Sequence, residues 1–148
     1  MKISASYWIF EGGLEGTLPV SSAMEQASQL GFDAIELGIA SQGVLTHQAT
    51  KAECETILDE AHKHGLEISG VASGESWANS PTASDVIVRE TILDFTQKAL
   101  QVTQWLGTDA YLYVPGAVDV FFMPEAEVIP YDVCYKRCLL YTSPSPRD

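Results

Sequence analysis

A three-part unit recurs along this chain: a short run with apolar residues at every second position, a loop, then an apolar stripe at helical spacing that ends on glycine. It closes at Gly31, at Gly65 and at Gly107. In the first unit Ile3, Ala5 and Tyr7 alternate with Ser4, Ser6 and Trp8 over Lys2 to Tyr7, the period-two signature of a strand. After a glycine-rich loop from Glu11 to Gly16, Thr17 is placed to cap a helix with Pro19 in its first turn, where a missing N–H costs nothing. Val20, Ala23, Met24, Ala27 and Leu30 supply the stripe.

The second unit begins with a strand from Ala34 to Ile39, with Ile35, Leu37 and Ile39 on one side and Ala34, Glu36 and Gly38 on the other. Thr50-Lys51-Ala52-Glu53 then matches a capping box, and Cys54, Ile57, Leu58 and Ala61 form the stripe up to a basic last turn, His62-Lys63-His64. The third unit has a strand from Leu66 to Ala72, a loop from Ser73 to Thr82, and a long helix on Val88, Ile92, Phe95, Ala99, Val102 and Leu106. A fourth strand, Ala110 to Val114, closes at Pro115-Gly116, and another helix is expected to begin near Tyr131.

Strand and helix in strict alternation imply parallel βα units, because only a crossover returns the chain to pair the next strand in parallel. The class is α/β. Strands covered by helices on both faces read as continuous apolar runs. Here one face is small or polar: Ser4 and Ser6, then Ala34, Glu36 and Gly38, then Ser69 and Ser73. A barrel lumen opening to solvent accommodates Glu36, whereas a second helical layer would strand it without water. A (β/α) barrel is therefore expected, and four βα units are half of an eight-unit barrel of roughly 250 residues.

Composition narrows the partners. The 148 residues carry 20 acidic and 8 basic side chains, a formal net charge of -12 that repels phosphate backbones and anionic lipid. No nucleic acid and no membrane surface is expected as a partner. No apolar run reaches the roughly 20 residues that span a bilayer, and the start does not read as a secretory signal. Cys54, Cys134 and Cys138 are odd in number and lack framework spacing, which fits a reduced, cytoplasmic setting.

Four segments resemble one known family: the opening Ile3-Ser4-Ala5-Ser6-Tyr7-Trp8, the run Gly31-Phe32-Asp33-Ala34-Ile35-Glu36-Leu37, the third strand from His64 to Val71, and Tyr113-Val114-Pro115-Gly116-Ala117-Val118. They are similar to the sugar phosphate isomerases and epimerases with a xylose isomerase-like TIM barrel, especially the ketose 3-epimerase branch. The Gly-Phe-Asp-x-Ile-Glu-Leu pattern is the most specific. The resemblance implies a (β/α)8 TIM barrel of which this chain carries a half barrel, residues 1–137. Residues 138–148 resemble an adapter-derived read-through tail and are expected to be non-native, with the Ser-Pro-Ser-Pro string unable to continue a helix.

The resemblance also implies proton transfer through an enediolate on a ketose sugar or sugar phosphate, with a divalent metal, Mn or Mg, held by two Glu, one Asp and one His. Those positions lie in the family's second half-barrel, so neither metal nor acid–base pair is expected within this chain, which by itself is expected to be inactive. What the chain would contribute is substrate binding by Tyr7, Trp8, Phe10 and Glu36 at the strand ends. Trp8 and Phe10 filling the barrel top, and Glu36 making an internal hydrogen bond, are the competing structural roles.

The remaining polar residues carry less. His47 is a lone loop histidine expected to be solvated, His62 and His64 suit the negative end of a helix dipole, and Cys134 with Cys138 has no partner ligands. Within the same barrel family, inosose dehydratases and hydroxypyruvate isomerase-like enzymes are alternatives, and a noncatalytic α/β binding module is another. DNA-repair endonuclease relatives carry zinc-binding histidines at strand ends that here read Ser69 to Ser73 and Val114-Pro115, and the charge is wrong for DNA. Unpaired first and fourth strands would favour self-association through their edges.

Overall fold

The computed structural model describes residues 1–142. Four strands form one parallel sheet in the order β1 (Ser4–Ser6), β2 (Ala34–Gly38), β3 (Glu67–Ala72), β4 (Tyr111–Leu112). Between them run α1 (Val20–Gln29), α2 (Lys51–Lys63), a short α3 (Glu75–Ala78) and α4 (Val86–Trp105), and α5 (Tyr131–Thr142) follows. The expected strand order and parallel pairing are present, as is the α/β class. Among the described residues β1 and β4 each have one neighbour in the sheet.

Several local expectations are corrected. The first strand is only three residues, because Tyr7–Ile9 turns into a 3-10 helix. Thr17 does not cap α1: the cap position is Pro19, without a side-chain hydrogen bond, and the Thr17 hydroxyl donates to Gly12 O instead. Leu30, placed in the apolar stripe, is 68% exposed and forms the C-cap of α1, past its last helical residue. The stretch from Ser73 to Thr82 contains α3, and the fourth strand is two residues long instead of five. The helix expected near Tyr131 is present as α5, and the Ser-Pro-Ser-Pro string of the tail expected at 138–148 lies outside the described residues.

Other local signals hold. Thr50 Oγ1 accepts from Glu53 N and the Glu53 carboxylate accepts from Thr50 N at 2.7 Å, so the capping box satisfies two otherwise orphaned donors. The three glycines that end the units, Gly31, Gly65 and Gly107, all have positive φ.

The chain divides into two compact units. The first, Met1–Ser73 with Thr96–Leu112, holds the whole sheet. Ala5, Ile35, Leu37 and Ile39 are buried, with α1 against β2 and α2 against β3. Ser4, Ser6 and Glu36 on the other face are half-buried or exposed. Here the Ser4 and Ser69 hydroxyls lie 2.6 Å apart although β2 runs between their strands. In a flat sheet, strands two places apart are separated by about 9.6 Å. The contact requires this face to be concave, and Ala34, small and opposite Ser4 in register, leaves the two serines room to meet.

A register shift between Ile35 and Glu36 makes Ser69 an extra residue in β3, since Ile35 pairs with Ile68 and Glu36 with Gly70. Such a bulge re-aims a side chain, here toward Ser4.

The second unit, Gly74–Phe95 with the chain from Tyr113 onward, has few regular elements. Pro81, Thr82, Ala83, Val120, Ile129 and Cys134 are buried in it. Arg89 and Arg137 both reach the backbone of the turn at Thr82–Ser84. Trp77 and Phe122 meet edge to face at 5.4 Å, and Phe121 is 89% exposed.

Candidate functional site

Active sites of parallel α/β barrels form at the C-terminal ends of the strands. In the first unit that end is built by Ser6, the 3-10 turn and the end of β2. The turn forms directly after β1 and folds Tyr7 and Trp8 over Gly38. A Cβ on Gly38 would lie 2.9 Å from Tyr7 Cδ1 and 3.0 Å from Trp8 Nε1, so only glycine lets both rings lie against the strand end. Gly38 is a determinant that alternation alone did not single out; the signal available was a glycine inside a strand pattern, which marks a close approach.

Glu36, one alternation earlier on the same face, accepts the Ser6 hydroxyl on Oε1 at 2.9 Å. Among the described residues no hydrogen bond reaches its Oε2. A carboxylate has roughly four acceptor positions, so Glu36 can take a further donor from the concave side. Ser6 and Ser4 line the same face, the latter bridged to Ser69.

The four expected binding residues separate into two groups. Trp8 is half-buried and Glu36 is half-buried beside Ser6, so both retain accessible surface. Tyr7 is 2% exposed, its hydroxyl donates to Leu18 O, and desolvation pushes its phenol pKa up. Phe10 is 8% exposed and closes the turn, its N–H donating to Tyr7 O at 3.3 Å and its carbonyl accepting from Gly13 at 2.9 Å. Tyr7 and Trp8 share Gly38; Phe10 lies past the turn. His47, expected to be solvated, is half-buried, with its backbone N–H on Ala40 O.

Among the described residues no group of three or more His, Cys, Asp or Glu side chains is placed to hold a metal ion. The residues present do not fit the Mn or Mg cage implied by the resemblance, and no step through a cation is derived from them. Among the described residues no helix is long and apolar enough to cross a membrane.

No curated protein sequence matches the chain. Solved structures share its fold, among them two D-psicose 3-epimerases. A D-psicose 3-epimerase crystallised in the presence of D-fructose has a TM-score of 0.70 at 19% identity, and the D-psicose 3-epimerase of Clostridium cellulolyticum H10 with D-tagatose has 0.66 at 15%. Each alignment covers 95% of this chain and 45% of the solved one, so the chain spans less than half the length of these structures. Four parallel strands in sequential order, with a polar concave face, are the fold that such a partial match describes. A model of the xylose isomerase-like TIM barrel family matches residues 24–139, and the chain belongs to that family.

Proposed function

We propose that this chain forms the substrate-facing part of a sugar isomerase or epimerase acting on a ketose or its phosphate. The observation that carries it is the grouping of Glu36, Ser6 and Trp8 at the C-terminal strand ends, with a carboxylate oxygen unengaged among the described residues and an indole edge against Gly38, two residues further along the same strand. A polyol offers hydroxyls to a carboxylate and C–H faces to an aromatic ring, and this grouping presents both. The ketose 3-epimerase likeness supports the sugar class. In this reading Glu36 and Trp8 bind sugar, while the buried Tyr7 and Phe10 hold the turn that carries Trp8.

The proton transfer between ketose carbons, and the divalent cation implied by the resemblance, belong in this reading to residues other than 1–142. The chain alone then turns over no ketose. A coupled epimerisation assay with D-fructose and added manganese tests this, and turnover above background would overturn it. The binding role is tested by titrating D-fructose into the chain and into Trp8→Ala. Trp8→Ala weakens binding with little loss of folding stability; lost stability with unchanged binding would return Trp8 to a filler. The same reading includes self-association through the β1 and β4 edges, visible as dimer by light scattering.

A further inference from the structure

We propose that Arg89 and Arg137 form a recognition site for a phosphoryl group in the second unit. The inference is independent of the sugar-binding reading above. The chain has three arginines, and two of them converge on one backbone oxygen. Arg89 Nη1 donates to Ala83 O at 2.6 Å and to Ser84 O at 3.0 Å, while Arg137 Nη1 donates to Ala83 O at 3.0 Å and to Thr82 O at 2.6 Å. Among the described residues each guanidinium thus donates only through Nη1, to the turn, which leaves Nε and Nη2 for another acceptor.

Two like charges drawn to the same turn repel each other, and its three carbonyl oxygens, being neutral, do not cancel that. Among the described residues neither guanidinium has a carboxylate within ion-pair distance. Two carboxylates border the turn: that of Asp85 accepts the Ile87 N–H at 2.8 Å, and that of Glu127 accepts the Ser84 N–H at 2.9 Å. Hydrogen bonds from Ser84 hold the Glu127 carboxyl below the usual range, with a smaller effect from the Arg137 charge. Both of these carboxylates are engaged by backbone amides, and neither pairs with a guanidinium.

The ligand class follows from charge and shape. A carboxylate is satisfied by one planar fork, whereas a tetrahedral phosphate dianion offers enough oxygens for two forks at once. Both arginines are half-buried, which keeps solvent partly away while leaving a route in. The long-range field of a chain with net charge -12 opposes any anion. Binding must then come from the short-range forks, and it should depend on both.

The alternative is that the two side chains only fasten the turn. Arginine side-chain NMR separates these accounts, since the chain gives only three Nε signals. Inorganic phosphate and D-fructose 6-phosphate are titrated into labelled chain, with sodium chloride at matched ionic strength and D-fructose as controls. Signals of Arg89 and Arg137, assigned with Arg89→Lys and Arg137→Lys, should shift along a saturating curve with the phosphates and not with the controls. Each Lys variant should weaken the phosphate midpoint by about tenfold, the loss of one charge-assisted fork. Saturation by both phosphates marks recognition of the phosphoryl group wherever it is carried, and saturation by the sugar phosphate alone marks a phosphoester. Phosphate shifts no larger than those with chloride, or an unchanged midpoint in both variants, would overturn the proposal. Should a variant fail to fold, the titration of the native chain decides.

Discussion

The first unit, which holds the sheet, buries a repeating apolar side, Ala5, Ile35, Leu37 and Leu66, whereas the second is fastened by polar side chains that reach backbone atoms. There Arg89 and Arg137 meet the carbonyls of the Thr82–Ser84 turn, and Glu127 meets the Ser84 amide. Burial of regular elements is non-directional and roughly proportional to area. Fastening of a loop depends on a few directed contacts, each worth about 1 kcal/mol net, more when a charge takes part. The two units should therefore respond differently to substitution.

The largest effect is expected where a repeated core position is emptied. Leu37→Ala, in a side chain buried between β2 and its covering helices, should cost about 2–5 kcal/mol in urea unfolding. A loss below about 1 kcal/mol would break the contrast, because the sheet unit would not rest on that packing.

Next comes a test of the second unit. A Cβ at Gly116 would sit 2.5 Å from Thr82 Cγ2 and 2.9 Å from Cys138 Sγ, and Thr82 is buried with its hydroxyl 2.9 Å from Ser80 Oγ. Gly116→Ala should cost about 1–3 kcal/mol by overpacking. A neutral result would mean that the loops give way, and the second unit would be softer than its hydrogen bonds suggest.

A smaller effect sharpens the comparison inside the first unit. Thr50→Ala should cost about 1 kcal/mol of thermal stability through the lost cap. It also has a pH signature. Hydrogen bonds from the Thr50 amide, then its hydroxyl, hold the Glu53 carboxyl below its ordinary value of 4.5. A depressed folded pKa adds stability above the unfolded value, and this fades as pH falls through the folded one. In Thr50→Ala the Glu53 pKa should rise part of the way back by NMR titration, since the amide donor remains. The smallest effect is at the exposed Lys51–Glu55 pair, 3.7 Å apart, where Lys51→Ala should change stability by no more than about 0.5 kcal/mol.

These differences also mark what the amino-acid order makes legible. Repetition is readable: Ile35, Leu37 and Ile39 alternate, Thr50 and Glu53 stand three apart, and glycines punctuate the units, so strand order, helices and capping box follow from local rules. Thr17 misled because the helix starts later than its hydroxyl suggests: the cap position is Pro19, two residues on, and the Thr17 hydroxyl turns back to Gly12 O. The bulge at Ser69 left no local mark, since it arises from pairing with β2. In the candidate site, Glu36 and Trp8 were visible through period and chain order, but the burial of Tyr7 and Phe10 depends on how the turn closes over Gly38. The convergence of Arg89 and Arg137 joins residues far apart in the chain, and no spacing rule reports it.

The sequential strand order has a consequence for how the chain comes into being. During synthesis the N-terminus emerges first, at about 5–20 residues per second. Each strand of this sheet pairs with the one made immediately before it, so β2 finds β1 already released, and β3 then finds β2. Among the described residues β2, β3 and β4 each meet a partner already made, and α1 and α2 can cover the growing sheet as they leave the ribosome. The concave polar face is the side left open throughout, and the Ser4–Ser69 contact can form only once β3 has arrived, which makes it a marker of when the nascent sheet first curves.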